Sequence, residues 1–137
     1  MSLRLIFNDT VTLFNYIGEE NGVATYAKAI IRNVKFSKRI GKSASTSPDN
    51  SATLYIFDTK ATVIDVEGKC KIYLSPELYE RNENPYSFFT FRSGKDFIVE
   101  GVCEADSPKM IESYRITLAS RNTSGTRRMH HWRCDCK

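Results

Sequence analysis

The residues best suited to chemistry crowd the end of the chain, in the stretch RRMHHWRCDCK from Arg127 to Lys137. His130 and His131 are adjacent, Cys134 and Cys136 stand one residue apart, and Arg127, Arg128 and Arg133 surround Trp132. Imidazole and thiolate are zinc ligands, whereas arginine beside an aromatic ring suits phosphate and base. A structural zinc site takes paired cysteines from a turn two to four residues wide, and the spacing Cys134-x-Cys136 does not match it. On an extended strand the two thiols splay along the sheet. Cys70 and Cys103 lie outside any knuckle-like turn. A period of two instead groups His130, Trp132, Cys134 and Cys136 on one face and Met129, His131, Arg133 and Asp135 on the other. The ending therefore reads as a strand from about Met129 to Cys136, with Trp132 as core anchor and cysteine as a small hydrophobe. No metal is expected.

Catalytic patterns are sparse elsewhere. The seven glycines stand alone in turns or strands rather than in a phosphate loop. Neither histidine has a serine or cysteine at a spacing that implies a nucleophile. Asp65 and Glu67 alternate on one strand and read as solvated carboxylates. An enzyme is not expected, and no cofactor. The basic residues form a clearer pattern. Lys38, Arg39 and Lys42, with Lys35 nearby, surround one loop, while Arg121, Arg127 and Arg128 surround the last hairpin tip. Such loops can meet phosphates without regard to sequence, or simply keep a β-rich protein soluble.

Strand signals position these groups. Thr10 to Ile17 alternates, with Val11, Leu13 and Asn15 on one face and Thr12, Phe14 and Tyr16 on the other. GEENG follows, and VATYAKAIIRNVKF resumes the extended pattern, which predicts a hairpin with a loop of about five residues rather than a tight turn. Ser37 to Ser51 is small, polar and basic without apolar period, and reads as a long mobile loop. Further strands are expected in ATLYIFD, KATVIDVEGKCKIYL and YSFFTFRSGKDFIVEGV, the last turning at Ser93 to Asp96. Ser75 with Pro76 and Glu77 starts a helix that ends near Asn82, and Pro108 to Ser113 holds one helical turn. Tyr114 to Ser120 precedes the final hairpin. Short strands at roughly ten-residue intervals, with little helix, predict a mainly β chain: a small antiparallel barrel or sandwich with long loops.

Composition bounds the setting. The chain is 41% hydrophobic and 26% charged, the balance of an ordinary globular domain, and 137 residues suffice for one core. A single domain over residues 1–137 is expected. The formal net charge of +4 permits a polyanionic partner without requiring one. No apolar run approaches a membrane span and MSLRLIF is too short for a signal peptide, so the expected setting is the cell interior, with four free thiols and no membrane partner.

The order of pieces resembles a known group. VTLFNYIGEENGVATYAKAIIRNVKF, a polar loop, ATLYIF, then FTFRSGKDFIVEGV and a terminal MHHWRC are similar to small minor structural proteins of long-tailed phages and prophages of Gram-positive bacteria. More distantly the chain looks like their head-tail joining, stopper or head-completion proteins. The segment Gly94 to Gly101 and the final His-Trp strand carry the likeness, which spans nearly the whole chain. The resemblance implies a β-barrel subunit of an oligomeric ring below the portal, sealing or extending the DNA channel. It further implies partners among its own copies, neighbouring neck proteins and packaged DNA, location in the virion, no catalytic residues, and Ser37 to Ser51 as the working loop. The Cys134-x-Cys136 ending departs from that group. The alternative is an OB-like nucleic-acid-binding module that uses the basic loops, with Tyr86, Phe88 and Phe89 of YSFFTF as its exposed aromatics.

Overall fold

Asn21 and Gly22 both adopt positive φ, 54° and 79°, and reverse the chain in two residues. The computed structural model describes residues 7–40 and 50–137. In it β1 (Asp9–Glu20) and β2 (Val23–Ile40) stay paired to the turn itself, Glu20 facing Val23 and Glu19 facing Ala24. The five-residue loop expected from GEENG is therefore a tight Asn-Gly turn. Asn and Gly are the residues that tolerate left-handed backbone at both central positions, and the twist of such a turn matches that of the strands. Near the other end of the β1–β2 ladder, Asn33 sits in β2 at φ 61° opposite the register shift between Asp9 and Thr10. This bulge bends β2 away from β1.

Beyond the bend β2 pairs with β3 (Asn50–Phe57), from Lys35 opposite Tyr55 to Ile40 opposite Asn50. Ser37–Ile40 and Asn50–Ser51, expected in the polar loop, are thus strand. The ladder pairs the backbone groups that face the partner strand, so the segment needs no apolar period to remain extended; Ser37 and Lys38 are exposed. Residues 41–49, with Lys42, lie outside the described residues.

The remaining strands close a ring. β7 (Phe97–Glu100), β8 (Tyr114–Asn122) and β9 (His131–Cys136) complete the cycle β1–β7–β8–β9–β3–β2–β1, antiparallel at every step. Among the described residues this is a six-stranded closed antiparallel barrel. β4 (Thr62–Ile64) adds to β2 beside it. Closure removes the unpaired edge that an open sheet would present. Inside lie Val11, Leu13, Ile31, Leu54, Ile98 and Ile116, none of them exposed, with Cys134 and Cys136 among them. The alternation of β9 accordingly turns both cysteines inward. β1 is buried on its second face too. Phe14 meets Tyr26, which meets Phe97, and the Thr12 hydroxyl donates to the Gly101 carbonyl and accepts from the Cys103 amide.

One end of the barrel is covered by residues between β4 and β7. β5 (Ile72–Tyr73) and β6 (Phe88–Phe89) pair in parallel and turn Tyr73 and Phe89 onto the core, with Phe91 following. Helix α1 (Pro76–Arg81) begins after Ser75 and ends at Asn82, where the sequence places it. Single 3-10 turns occupy Pro85–Ser87, Pro108–Met110 and Arg127–Met129. Within YSFFTF only Phe88–Phe89 is strand, because the turn at Pro85 takes up Tyr86 and Ser87.

Two polar clamps hold this cover. Asn15, fully buried inside the barrel, donates from Nδ2 to the Thr90 carbonyl (2.7 Å) and accepts the Thr90 amide on Oδ1 (3.3 Å). Asp96, also fully buried, receives Arg92 in bidentate fashion at 3.0 and 2.8 Å. The same pair grips the backbone of Tyr16: its amide donates to Asp96 Oδ1 (3.0 Å) and its carbonyl accepts from Arg92 Nη2 (2.6 Å). The Arg92 guanidinium also lies 5.1 Å from the centre of the Tyr79 ring. Burial by itself would lower the Arg92 pKa, but its hydrogen bonds and charge attraction to Asp96 raise it. Replacing Asp96 by Asn leaves the buried guanidinium with only the half-exposed Glu80 carboxylate, 3.5 Å from Nη1, and should cost about 3 kcal/mol, read from the denaturant midpoint. Glu100→Gln, which breaks the half-exposed ion pair with Lys38, should leave that midpoint unchanged.

Candidate functional site: an aromatic and basic barrel mouth

Trp132 stands on β9 opposite Ile56 of β3 and Arg121 of β8, at the covered end of the barrel. It is half-buried and packs at 4.9 Å from Tyr73 and 5.4 Å from Phe91, centre to centre. Tyr73, Phe89 and Phe91 also touch one another, so four rings form a continuous wall. Between this wall and residues 56–63 opens a cleft of about 700 Å³, into which Lys71 and Arg121 also face.

Arg121 is a member of this cleft rather than a free charge at the hairpin tip. Its guanidinium lies 5.4 Å from the Trp132 ring centre, and it donates to both carboxylate oxygens of Asp58. The Arg121 hydrogen bonds hold Asp58 below the usual carboxylate range, and the same bonds raise Arg121. Pairing across 63 residues of sequence is what the local pattern does not reveal.

Lys71 is the least ordinary group here. It is 7% exposed, and its ammonium donates to the Lys28 carbonyl at 3.1 Å. Burial pushes its pKa down from 10.5 to about 8, with Asp65 opposing weakly. The sequence carried a signal for this: Lys71 shares its parity with Tyr73, which faces the core, so a short extended segment turns both the same way.

The other basic candidates are dispersed. Arg127 and Arg128 occupy the exposed 3-10 turn before His130. Lys38 is committed to Glu100 of the same barrel, and the hydrogen bond it donates to the Glu100 carboxylate raises its pKa. Arg39 follows it on β2. The Lys38–Arg39 ribbon meets the Cys136 end of β9, while Arg121 and the turn at 127–129 sit at its His131 end. At 3.4 Å per residue these two basic groups are roughly 17 Å apart along the strand, not one cluster.

Between them runs the outer face of β3 and β9. Phe57 stacks on His131 with centres 4.6 Å apart and planes at 23°, Tyr55 lies 6.2 Å from His131, and Arg133 covers Tyr55. These four residues form two directly opposed cross-strand pairs, Phe57 with His131 and Tyr55 with Arg133. They form a partly buried aromatic surface on the outside of the barrel, with Phe7 also packed on Phe57, whereas in YSFFTF, where the sequence sought exposed rings, Phe89 is core and Tyr86 stands apart and exposed. Alternation in ATLYIFD, read together with HHWRCD, shows the pairing only when the register is known.

The thiols of Cys134 and Cys136 face the core, and burial pushes both up, Cys136 to about 12, so neither is a ready nucleophile. Among the described residues no three His, Cys, Asp or Glu side chains converge as a metal site.

Fold and mouth together define a small closed antiparallel barrel with an aromatic cleft at one end and a basic aromatic outer face. The chain belongs to a family of unknown function, DUF6751, whose model matches residues 6–137. No curated protein and no solved structure matches it.

Two measurements probe the mouth. Trp132→Ala removes one wall ring and should lower stability by about 3 kcal/mol in denaturant unfolding, the low end for a large aromatic because Trp132 is only half-buried. Lys71→Met isolates the buried ammonium. Because the folded lysine releases its proton near pH 8 while the unfolded one holds it to 10.5, the parent gains stability as pH rises through that window. The stability difference between parent and variant should therefore move in the parent's favour by about 2 kcal/mol from pH 7 to pH 10.

Proposed function

We propose that this protein is a structural subunit of a long-tailed phage neck, a stopper or head-completion component that assembles with its own copies and with neighbouring neck proteins. The observation that carries the reading is the β2–β3 ribbon. It pairs out to Ile40 opposite Asn50, two positions past Ala52, where β9 ends its own pairing with β3 at Cys136. A closed barrel cannot recruit partners along a free sheet edge, so a ribbon that runs past the ring gives neighbours something to grip. Apolar side chains on the outside fit the same reading: Val66, Ile72, Leu78 and Leu118 are each more than half exposed, as surfaces covered by assembly are. The resemblance to phage joining proteins supplies the identity of the assembly.

The test is removal of the gene from an inducible prophage that carries it, followed by electron microscopy of the lysate. Filled heads separate from free tails, restored to joined particles by the intact gene in trans, are the expected result. Tailed particles in normal numbers without the gene would overturn the reading.

A nucleic-acid-binding module is the second reading, favoured by the β3–β9 outer face. Rings of Tyr55, Phe57 and His131 beside Arg133 offer stacking and charge without base readout. This reading predicts salt-sensitive binding of single-stranded DNA that weakens by about tenfold or more when Tyr55 and Phe57 become Ala, since stacking is worth about 1–3 kcal/mol per base. Binding unaffected by both substitutions would exclude that face.

A further inference from the structure

The cleft at the barrel mouth joins two properties seldom combined by accident. Its wall is apolar and aromatic: Tyr73 and Phe91 each touch both Phe89 and Trp132, and Ile56 and Val63 also line the cleft. Its volume of about 700 Å³ falls within the range of small-molecule sites, about 300–1,000 Å³. Into this wall is set a cation that makes no ion pair among the described residues, Asp65 acting on it only through space. Lys71 is only 7% exposed, yet among the described residues its ammonium, with three donors, meets one neutral acceptor, the Lys28 carbonyl.

Neither nearby carboxylate hydrogen-bonds the ammonium among the described residues. Asp58, the carboxylate lining the cleft, gives both oxygens to Arg121. Asp65 accepts the backbone amides of Glu67 and Lys69 through Oδ1. Among the described residues that line it, the cleft thus holds the Lys71 ammonium beside one closed ion pair, while Asp65 stands outside the lining and tempers the Lys71 charge only at a distance. A buried ammonium without an anion is unfavourable, and a ligand that brings one into the cleft relieves the imbalance.

We propose that the cleft is a binding site for a small apolar or aromatic monocarboxylate, its ring or chain against Trp132, Phe91 and Tyr73 and its carboxylate on the Lys71 ammonium. The aromatic wall accepts a flat apolar body by dispersion and edge contacts. Lys71 then discriminates by charge: a hydrogen bond to a charged group is worth about 1.5–3 kcal/mol, which is tenfold or more in affinity over a neutral head of the same shape. The assignment is independent of the neck reading and survives if that reading fails.

Trp132 is the sole tryptophan of the chain, so its emission reports directly on the cleft. The experiment titrates the full-length protein with 3-phenylpropionate and, separately, with its neutral amide, 3-phenylpropionamide. The expected result is a saturable change in Trp132 emission with the carboxylate, at least about tenfold weaker binding of the amide, and loss of that preference in Lys71→Met. Thermal unfolding of the variant confirms that it is folded. If it does not fold, the ratio of carboxylate to amide affinity in the parent decides alone. Equal binding of the two probes would reduce the cleft to a nonspecific apolar slot and overturn the proposal. So would the absence of saturable binding at millimolar carboxylate, or an unchanged preference in the folded variant.

Discussion

The backbone of Tyr16 is where this fold meets its hardest constraint. β7 pairs with β1 only as far as Phe14 opposite Phe97, so the next amide and carbonyl on that edge of β1 have no strand to meet. A buried amide left unpaired costs about 1–3 kcal/mol, and the adjoining carbonyl adds to it. Asp96 accepts the amide and Arg92 donates to the carbonyl, so an ion pair extends the ladder by one step with side chains. The two charges are affordable there because each completes the other in bidentate geometry at 3.0 and 2.8 Å.

Much of the molecule follows from that pair. Arg92 and Asp96 flank the turn at Ser93–Lys95, so fixing them to Tyr16 fixes where the cover enters the barrel end. Asn15, one residue earlier on β1, then clamps Thr90, and Phe89 and Phe91 on either side of Thr90 are directed into the core. Those rings with Tyr73 and Trp132 make the wall of the cleft. The mouth that carries the proposed ligand site is thus a consequence of how β1 ends its pairing, transmitted through adjacent residues of one segment.

The sequence made the strands readable because period-two alternation is a local property. β1, the last strand with its inward cysteines, and the helix started by Ser75 and Pro76 were all legible in this way. The Asn21-Gly22 turn was legible too, but reading GEENG as one polar loop hid the two residues whose backbone tolerance decides the matter. The polar segment after Phe36 was read as loop because composition reports what a chain can bury, whereas Ser37–Ile40 is held by hydrogen bonds to β3. The site was less legible. Asp58 with Arg121, and Phe57 with His131, meet only after β3, β8 and β9 are placed in register, and no local pattern encodes that register. Lys71 lay between: its parity with Tyr73 pointed inward, against the ordinary preference of lysine for solvent.

The most direct test of this account is amide hydrogen exchange at Tyr16 in the intact protein. If the Arg92–Asp96 pair continues the ladder, the Tyr16 amide exchanges as slowly as that of Leu13 in the middle of β1, although no strand accepts it. Exchange as fast as at the exposed turn residue Asn21 would contradict the account, since the end of β1 would then be open and the cover held by other means.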